Sequence, residues 1–153
     1  MHWLVHRSKE NGMKSVLVPI DGSAAALRAL SYALGEVQGR DGAQVHVLNV
    51  HPPMVQVWPG KLVTPEMIDA ELRAEGRTIL APAEAAAQAA GVRCVPHVSI
   101  GAAAQEIAAY AHQHGCDVIV MGTRGMRAVA DLVLGSVAHN VVRLSNVPVT
   151  LVK

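Results

Sequence analysis

The chain has 153 residues, 51% of them hydrophobic and 16% charged, which suits one compact domain with its own core and excludes intrinsic disorder. Thirteen Lys and Arg stand against twelve Asp and Glu, a formal charge of +1, so the basic excess that a phosphate backbone demands is missing and no nucleic-acid partner is expected. Aromatic residues make up 3%, with no Phe, which removes the stacking platforms of single-strand binders and leaves backbone and aliphatic groups to hold any ligand.

The two cysteines, Cys94 and Cys116, form no C-x-x-C pair and have no second pair to complete a zinc site, so reduced, inert thiols are expected. Apolar stretches such as Val118 to Met121 are strand-length, well short of the roughly 20 residues of a membrane helix, and no membrane partner is expected. At the N-terminus, Trp3-Leu4-Val5 is too short for a secretory core of about 7 residues or more. The expected compartment is the cytoplasm. Met13 directly precedes the first strand, so residues 1–12 read as a tail outside the fold and 13–153 as a single domain.

In chain order, Val16-Leu17-Val18-Pro19-Ile20 is a continuous apolar run, as in a strand covered on both faces, and Asp21-Gly22-Ser23 punctuates it. Ser23 caps a helix in which Leu27, Leu30 and Leu34 fall on one face. Gln44 to Val50 alternates as a second strand, with Val45, Val47 and Asn49 on one side and His46, Leu48 and Val50 on the other. His51 to Val63 is a proline-rich loop, and Thr64-Pro65-Glu66 then has the cap, first-turn proline and early acid of a helix start. Ile68, Leu72 and Ile79 continue with helical spacing. Pro82 is expected to kink or break that helix, which stops at Gly91.

Val92 to Ile100 reads as a third strand whose central Pro96 favours a sheet edge. Gly101 to His114 is helical with Ile107 and Ala111 inward, Asp117 to Met121 is a fourth strand, and Gly122 to Leu134 is a loop. Gly135-Ser136 opens a short helix with Val137, Val141 and Leu144 on one face, and Val147 to Val152 closes the chain as a fifth strand. Strands alternating with helices predict an α/β fold, a five-stranded parallel sheet with helices on both faces. Ligands of such sheets bind beyond the carboxyl ends of the strands where strand order reverses.

Three features fall at strand carboxyl ends: Pro19-Ile20-Asp21, Met121-Gly122-Thr123-Arg124-Gly125, and Gly135-Ser136. Their spacing is G-x2-G-x9-G-S. Glycines at 122 and 125 allow close approach of a ligand to backbone, and Gly135-Ser136 offers N–H groups and a hydroxyl at a helix N-terminus, where phosphate is favoured. A glycine after a strand is also ordinary turn chemistry. Pro19 fits either a functional site or a strand that simply ends there, and Asp21 fits either a ligand contact or a helix cap beside Ser23. Arg124 and Arg127 fit electrostatic steering or a solvated loop near Asp131; Thr123 is read as a loop hydroxyl rather than a metal ligand. His112 and His114 point to different helix faces, His139 fits an exposed helical position or an approach to phosphate, and Trp58 fits a cover over the pocket or a partner contact. No G-x-S-x-G, Walker lysine motif, G-x-G-x-x-G or H-E-x-x-H is present.

With these residues in view, the sequence resembles the universal stress protein family from Met13 to Lys153. The resemblance rests on Met13 to Ser23, Asp117 to Gly125, Gly135-Ser136-Val137 and Asn146-Val147-Pro148-Val149. It implies a Rossmann-like fold of the adenine nucleotide alpha-hydrolase kind, with strand order 3-2-1-4-5. The family divides into members that bind ATP and members that do not, and G-x2-G-x9-G-S is the binders' form. The resemblance places Pro19, Ile20 and Asp21 beside the nucleotide, with Asp21 near the ribose or a Mg²⁺ ion. Val50 would meet adenine, Met121 and Gly122 would flank the nucleoside, and Gly125, Gly135, Ser136 and Val137 would surround the phosphates.

Two functions follow as expectations. One is an ATP-binding stress-response sensor or regulator, with ADP or AMP as other nucleotides and at most slow hydrolysis, since no positioned base or committed Lys is visible. No catalytic residue is assigned. The other is a dimeric interaction module that binds no nucleotide. In both, the apolar terminal strand Val147 to Val152 is a sheet edge, and the resemblance implies a homodimer through it, with an unidentified protein partner possible.

Overall fold

The computed structural model describes residues 12–54, 60, 62–124 and 134–153. The elements are β1 (Ser15–Pro19), α1 (Ala24–Val37), β2 (Gln44–His51), α2 (Pro65–Ala89), β3 (Arg93–Ile100), α3 (Ala103–Gln113), β4 (Val118–Gly122), α4 (Ser136–Leu144) and β5 (Val149–Val152). All strand pairs are parallel, in the order β3-β2-β1-β4-β5, as expected.

The apolar run of β1 is explained by its central place: Val16, Leu17 and Val18 are each 0% exposed, with a helix layer on either side. Val16 and Val18 join Val45, Val47, Leu30 and Leu80 in the core beneath α1 and α2. Leu17 faces the other way, packing with Leu48, Ile107, Ile119, Met121 and Val141 beneath α3 and α4. At the opposite end of the sheet Asp117 Oδ2 accepts hydrogen bonds from the backbone N–H groups of Lys14 and Ser15 at 3.0 and 2.9 Å, tying the start of β1 to that of β4.

Ser23 caps α1 through a 3.1 Å bond accepted from Ala26 N, and Thr64 caps α2 with Pro65 in the first turn, both as anticipated. Pro96 lies on the edge strand β3, where a missing N–H is tolerated. Other expectations are corrected. The helix containing Pro82 is not broken there: α2 runs continuously from Pro65 to Ala89. Pro82 is exposed while Leu80, Ala83 and Ala87 around it are buried, so packing carries the helix across. Leu27 does not share the buried face of Leu30 and Leu34; alanines 26, 29 and 33 fill it instead, because small residues let α1 sit close to the sheet. Val137 is likewise outward, and Ala138 and Val141 hold α4 in place. The last strand starts later than Val147, since Ser145 and Val147 close a turn through the Ser145 hydroxyl.

Candidate functional site

The chain travels outward from β1 to β2 and β3, then returns through α3 to β4 beside β1. Consequently α1 leaves β1 toward one face of the sheet, and α4 follows β4 on the other. The carboxyl ends of β1 and β4 therefore flank the crevice characteristic of open α/β sheets.

On the β1 side, Pro19 ends the strand in register with Leu48. Ile20, 2% exposed, donates its N–H to the Leu48 carbonyl and accepts from Asn49 Nδ2, both at 2.8 Å. These two bonds fix the peptide that presents Asp21. Gly22 takes φ +87°, a left-handed conformation that swings the chain into α1. The Asp21 carboxylate accepts from Ser23 N at 2.9 Å, so it shapes the turn ahead of the helix and is exposed beside the crevice. Val50 is half-buried against the α3 and α4 side of the core, next to the cluster that holds Met121.

On the β4 side, Met121 is buried at 6% exposure and Gly122 ends the strand in register with Val152. A Cβ on Gly122 would stand 3.0 Å from Ala25 Cβ and 3.1 Å from the Ala25 backbone. Gly122 thus packs closely on the first turn of α1, which a side chain there would push back by a few tenths of an ångström. Ligand approach alone, the sequence reading of this glycine, does not account for it. Thr123 then donates N–H to the Val152 carbonyl at 3.1 Å and accepts from Gly135 N at 2.6 Å. Ala25, Gly122, Thr123 and Gly135 thereby join the N-termini of α1 and α4 across the end of β4.

Gly135 is the N-cap of α4 and supplies no side-chain cap, and the first turn contains no acid. Such an end, with the positive pole of the helix dipole and an exposed Ser136 hydroxyl, suits an anion. Val137 is exposed beside it. Gly125, Arg127, Asp131 and Trp58 lie outside the described residues. Sequence reasoning missed Ala25 and assigned Thr123 only a hydroxyl, whereas its backbone is what connects β5 to α4. Asn49 was placed on the correct strand face but its bond to Ile20 carried no sequence signal.

Among the described residues no group of three or more His, Cys, Asp and Glu side chains could hold a metal ion. Asp21 by itself fits a Mg²⁺ ion only where most remaining ligands are water and nucleotide phosphate, which is the usual habit of that ion. No helix among the described residues is long and apolar enough to cross a membrane.

An open parallel α/β sheet in the order β3-β2-β1-β4-β5, with helices on both faces, defines the Rossmann-like class of folds. More narrowly, the model of the universal stress protein family matches residues 12–153, and the chain belongs to that family. It is similar to a universal stress protein of Methanocaldococcus jannaschii, 31% identical over an alignment of 153 positions that covers 96% of this chain and 86% of that protein. The universal stress protein UspA from Lactobacillus plantarum has the same fold, with a TM-score of 0.75, 26% identity, and coverage of 94% of this chain and 99% of its own. A universal stress protein solved in complex with cAMP superposes with a TM-score of 0.69 at 26% identity, covering 94% of this chain and 98% of that one.

Proposed function

We propose that this protein binds an adenine nucleotide, ATP with Mg²⁺ as the working form, in the crevice between β1 and β4, and serves as a nucleotide-dependent regulator in stress response. The observation that carries the reading is the α4 N-terminus, lacking a side-chain cap and bonded to the end of β4 through Gly135 N and Thr123 O at 2.6 Å. That end receives phosphate through the backbone N–H groups of the first turn beyond Gly135, whose own N–H is given to Thr123, and through the Ser136 hydroxyl. Asp21 faces the ribose or the ion, Pro19 and Ile20 form the floor, and Val50, Met121 and Gly122 line the nucleoside, with Val137 beside the phosphates. The cAMP complex of the similar universal stress protein supports adenine as the base. A bound Mg²⁺ supplies charge neutralisation for the phosphates. On this reading turnover is slow and occupancy of the site is the signal.

Mass spectrometry of small molecules released on denaturing the purified protein is expected to find an adenine nucleotide. Calorimetric titration is expected to show ATP binding that weakens in Ser136→Ala. A folded wild-type protein that releases no nucleotide and gives no binding heat with ATP, ADP, AMP or cAMP overturns the reading.

The second reading, an interaction module, is favoured by the sheet edge. Strand β5 has a neighbour on one side only, and Val142 and Leu151 nearby are 49% and 37% exposed. An uncovered apolar edge of this kind invites pairing, and we assign it to a homodimer formed by two β5 strands in the cytoplasm. Nucleotide binding uses the crevice between β1 and β4 and dimerisation the free edge of β5, so the two are compatible.

A further inference from the structure

Three histidines meet one tyrosine on the α3 side of the sheet. Tyr110 of α3 is 5% exposed, and its hydroxyl lies 2.9 Å from Nδ1 of His46 on β2. His46 is itself 4% exposed, with Gln44 Nε2 at 3.1 Å from its Nε2, so both ring nitrogens are engaged. On the outer side His114, just after α3, stacks on Tyr110 with centroids 3.8 Å apart and planes inclined by 16°. Its Nδ1 lies 3.0 Å from the Tyr110 carbonyl oxygen and donates to it. His97, from the edge strand β3, completes the group at 5.3 Å from Tyr110 and 6.5 Å from His114. The centroids of His46 and His114 are 5.9 Å apart.

The chemistry of this group changes with one proton. A neutral imidazole offers one donor and one acceptor, and His46 uses both. Protonation turns the acceptor into a donor, so the contact with Tyr110 or with Gln44 must reorganise. A second imidazolium about 6 Å from the first is also repelled, more strongly in a half-buried site than in water. The surrounding charges add to this. Arg93 acts on His46, Arg73 acts on His97, and Glu106 alone opposes them, while Cys116 faces Tyr110. Burial first, then His114 and the arginines, lower the proton affinity of His46 and His97 below the ordinary histidine value of 6.5.

We propose that His46, His97 and His114 around Tyr110 form an acid-responsive latch that releases the C-terminal half of α3 from β2 and β3 when the surroundings acidify. The sign follows from linkage. Well above pH 6.5 His46 and His97 are neutral in both folded and unfolded chains and the packing is intact. Below it the open form takes up protons that the closed form resists, so stability is lost as pH falls from there toward the folded-state values. No nucleotide is required for the response. Its location on the core shared by α3 and α4 sets it on the face opposite α1 and α2.

Hydrogen exchange of the full chain at about pH 7.5 and about pH 5.5, with rates corrected for intrinsic chemistry, tests the latch. Amides in the second half of α3 and in β3 are expected to exchange several-fold faster at the lower pH, the direction set by the lowered proton affinity of His46 and His97 in the closed form. Amides of α1 stay within about twofold, as a separately packed region should. The double variant His97→Gln, His114→Gln alters two exposed residues and is expected to keep the fold while reducing the response to half or less. His46→Gln reports the buried member. The proposal is overturned by wild-type exchange in α3 that does not change with pH, by equal acceleration in α1 and α3, or by an undiminished response in the double variant.

Discussion

The side-chain amide of Asn49 donates a 2.8 Å hydrogen bond to the carbonyl of Ile20, and the two residues are 3% and 2% exposed. Through it β2 holds the last peptide before Asp21. The bond also explains why a polar residue occupies the apolar face that Val45 and Val47 define. Asn49→Leu removes the donor and leaves a buried carbonyl unpaired, which costs about 1–3 kcal/mol. Urea unfolding measures this, and nucleotide affinity is expected to fall with it because Asp21 loses its fixed support. An unchanged unfolding midpoint would show that the Ile20 carbonyl has found another donor.

Asp21 shapes a turn, through the 2.9 Å bond from Ser23 N, and on the proposed function it also carries charge to a metal ion. Asp21→Asn separates the two roles, since an amide oxygen still accepts from Ser23 N but has no negative charge. Stability is expected to change by about 0.5 kcal/mol or less, as the cap-type acceptor survives. Affinity for Mg²⁺-ATP is expected to fall about tenfold, or ~1.4 kcal/mol, while affinity for metal-free AMP holds. Equal losses for both nucleotides would place Asp21 on the ribose instead.

Gly122→Ala adds a methyl group that meets Ala25 at 3.0 to 3.1 Å, including backbone atoms that cannot rotate away. Overpacking of this kind destabilises by about 1–3 kcal/mol. A thermal melt is expected to shift downward with or without nucleotide present. An unshifted melt would mean that α1 moves away from β4 at little cost.

Leu151 is 37% exposed on the edge strand β5, near the 49% exposed Val142. On the dimer reading, Leu151→Asp places a charge in a buried strand pair and is expected to convert a dimer to a monomer in analytical ultracentrifugation, with the circular dichroism spectrum unchanged. A wild-type protein that sediments as a monomer at all accessible concentrations would remove that reading.

Much of the fold was legible because periodicity is local. Val16-Leu17-Val18 announces a strand buried on both faces, and Thr64-Pro65-Glu66 announces a helix start, without reference to anything distant. Where legibility failed, a neighbour decided. Leu27 and Val137 have the spacing of core residues but stand outward, because alanines at the closest approach of helix and sheet claim the interior. Pro82 has the chemistry of a break, yet buried Leu80 and Ala83 hold the helix across it.

For the site, sequence alone determined the glycine spacing, the acid after the first strand and the residue types at each strand's carboxyl end, since these are fixed by order along the chain. Tertiary structure alone decided that Gly122 touches Ala25, that Thr123 couples β5 to α4, and that Asn49 holds Ile20. It likewise decided that His46, His97, His114 and Tyr110 meet. Apart from Tyr110 and His114, which are four residues apart, these partners are a dozen to nearly a hundred residues apart, and the parallel pairing and the crossing of helices bring them within hydrogen-bond or stacking distance.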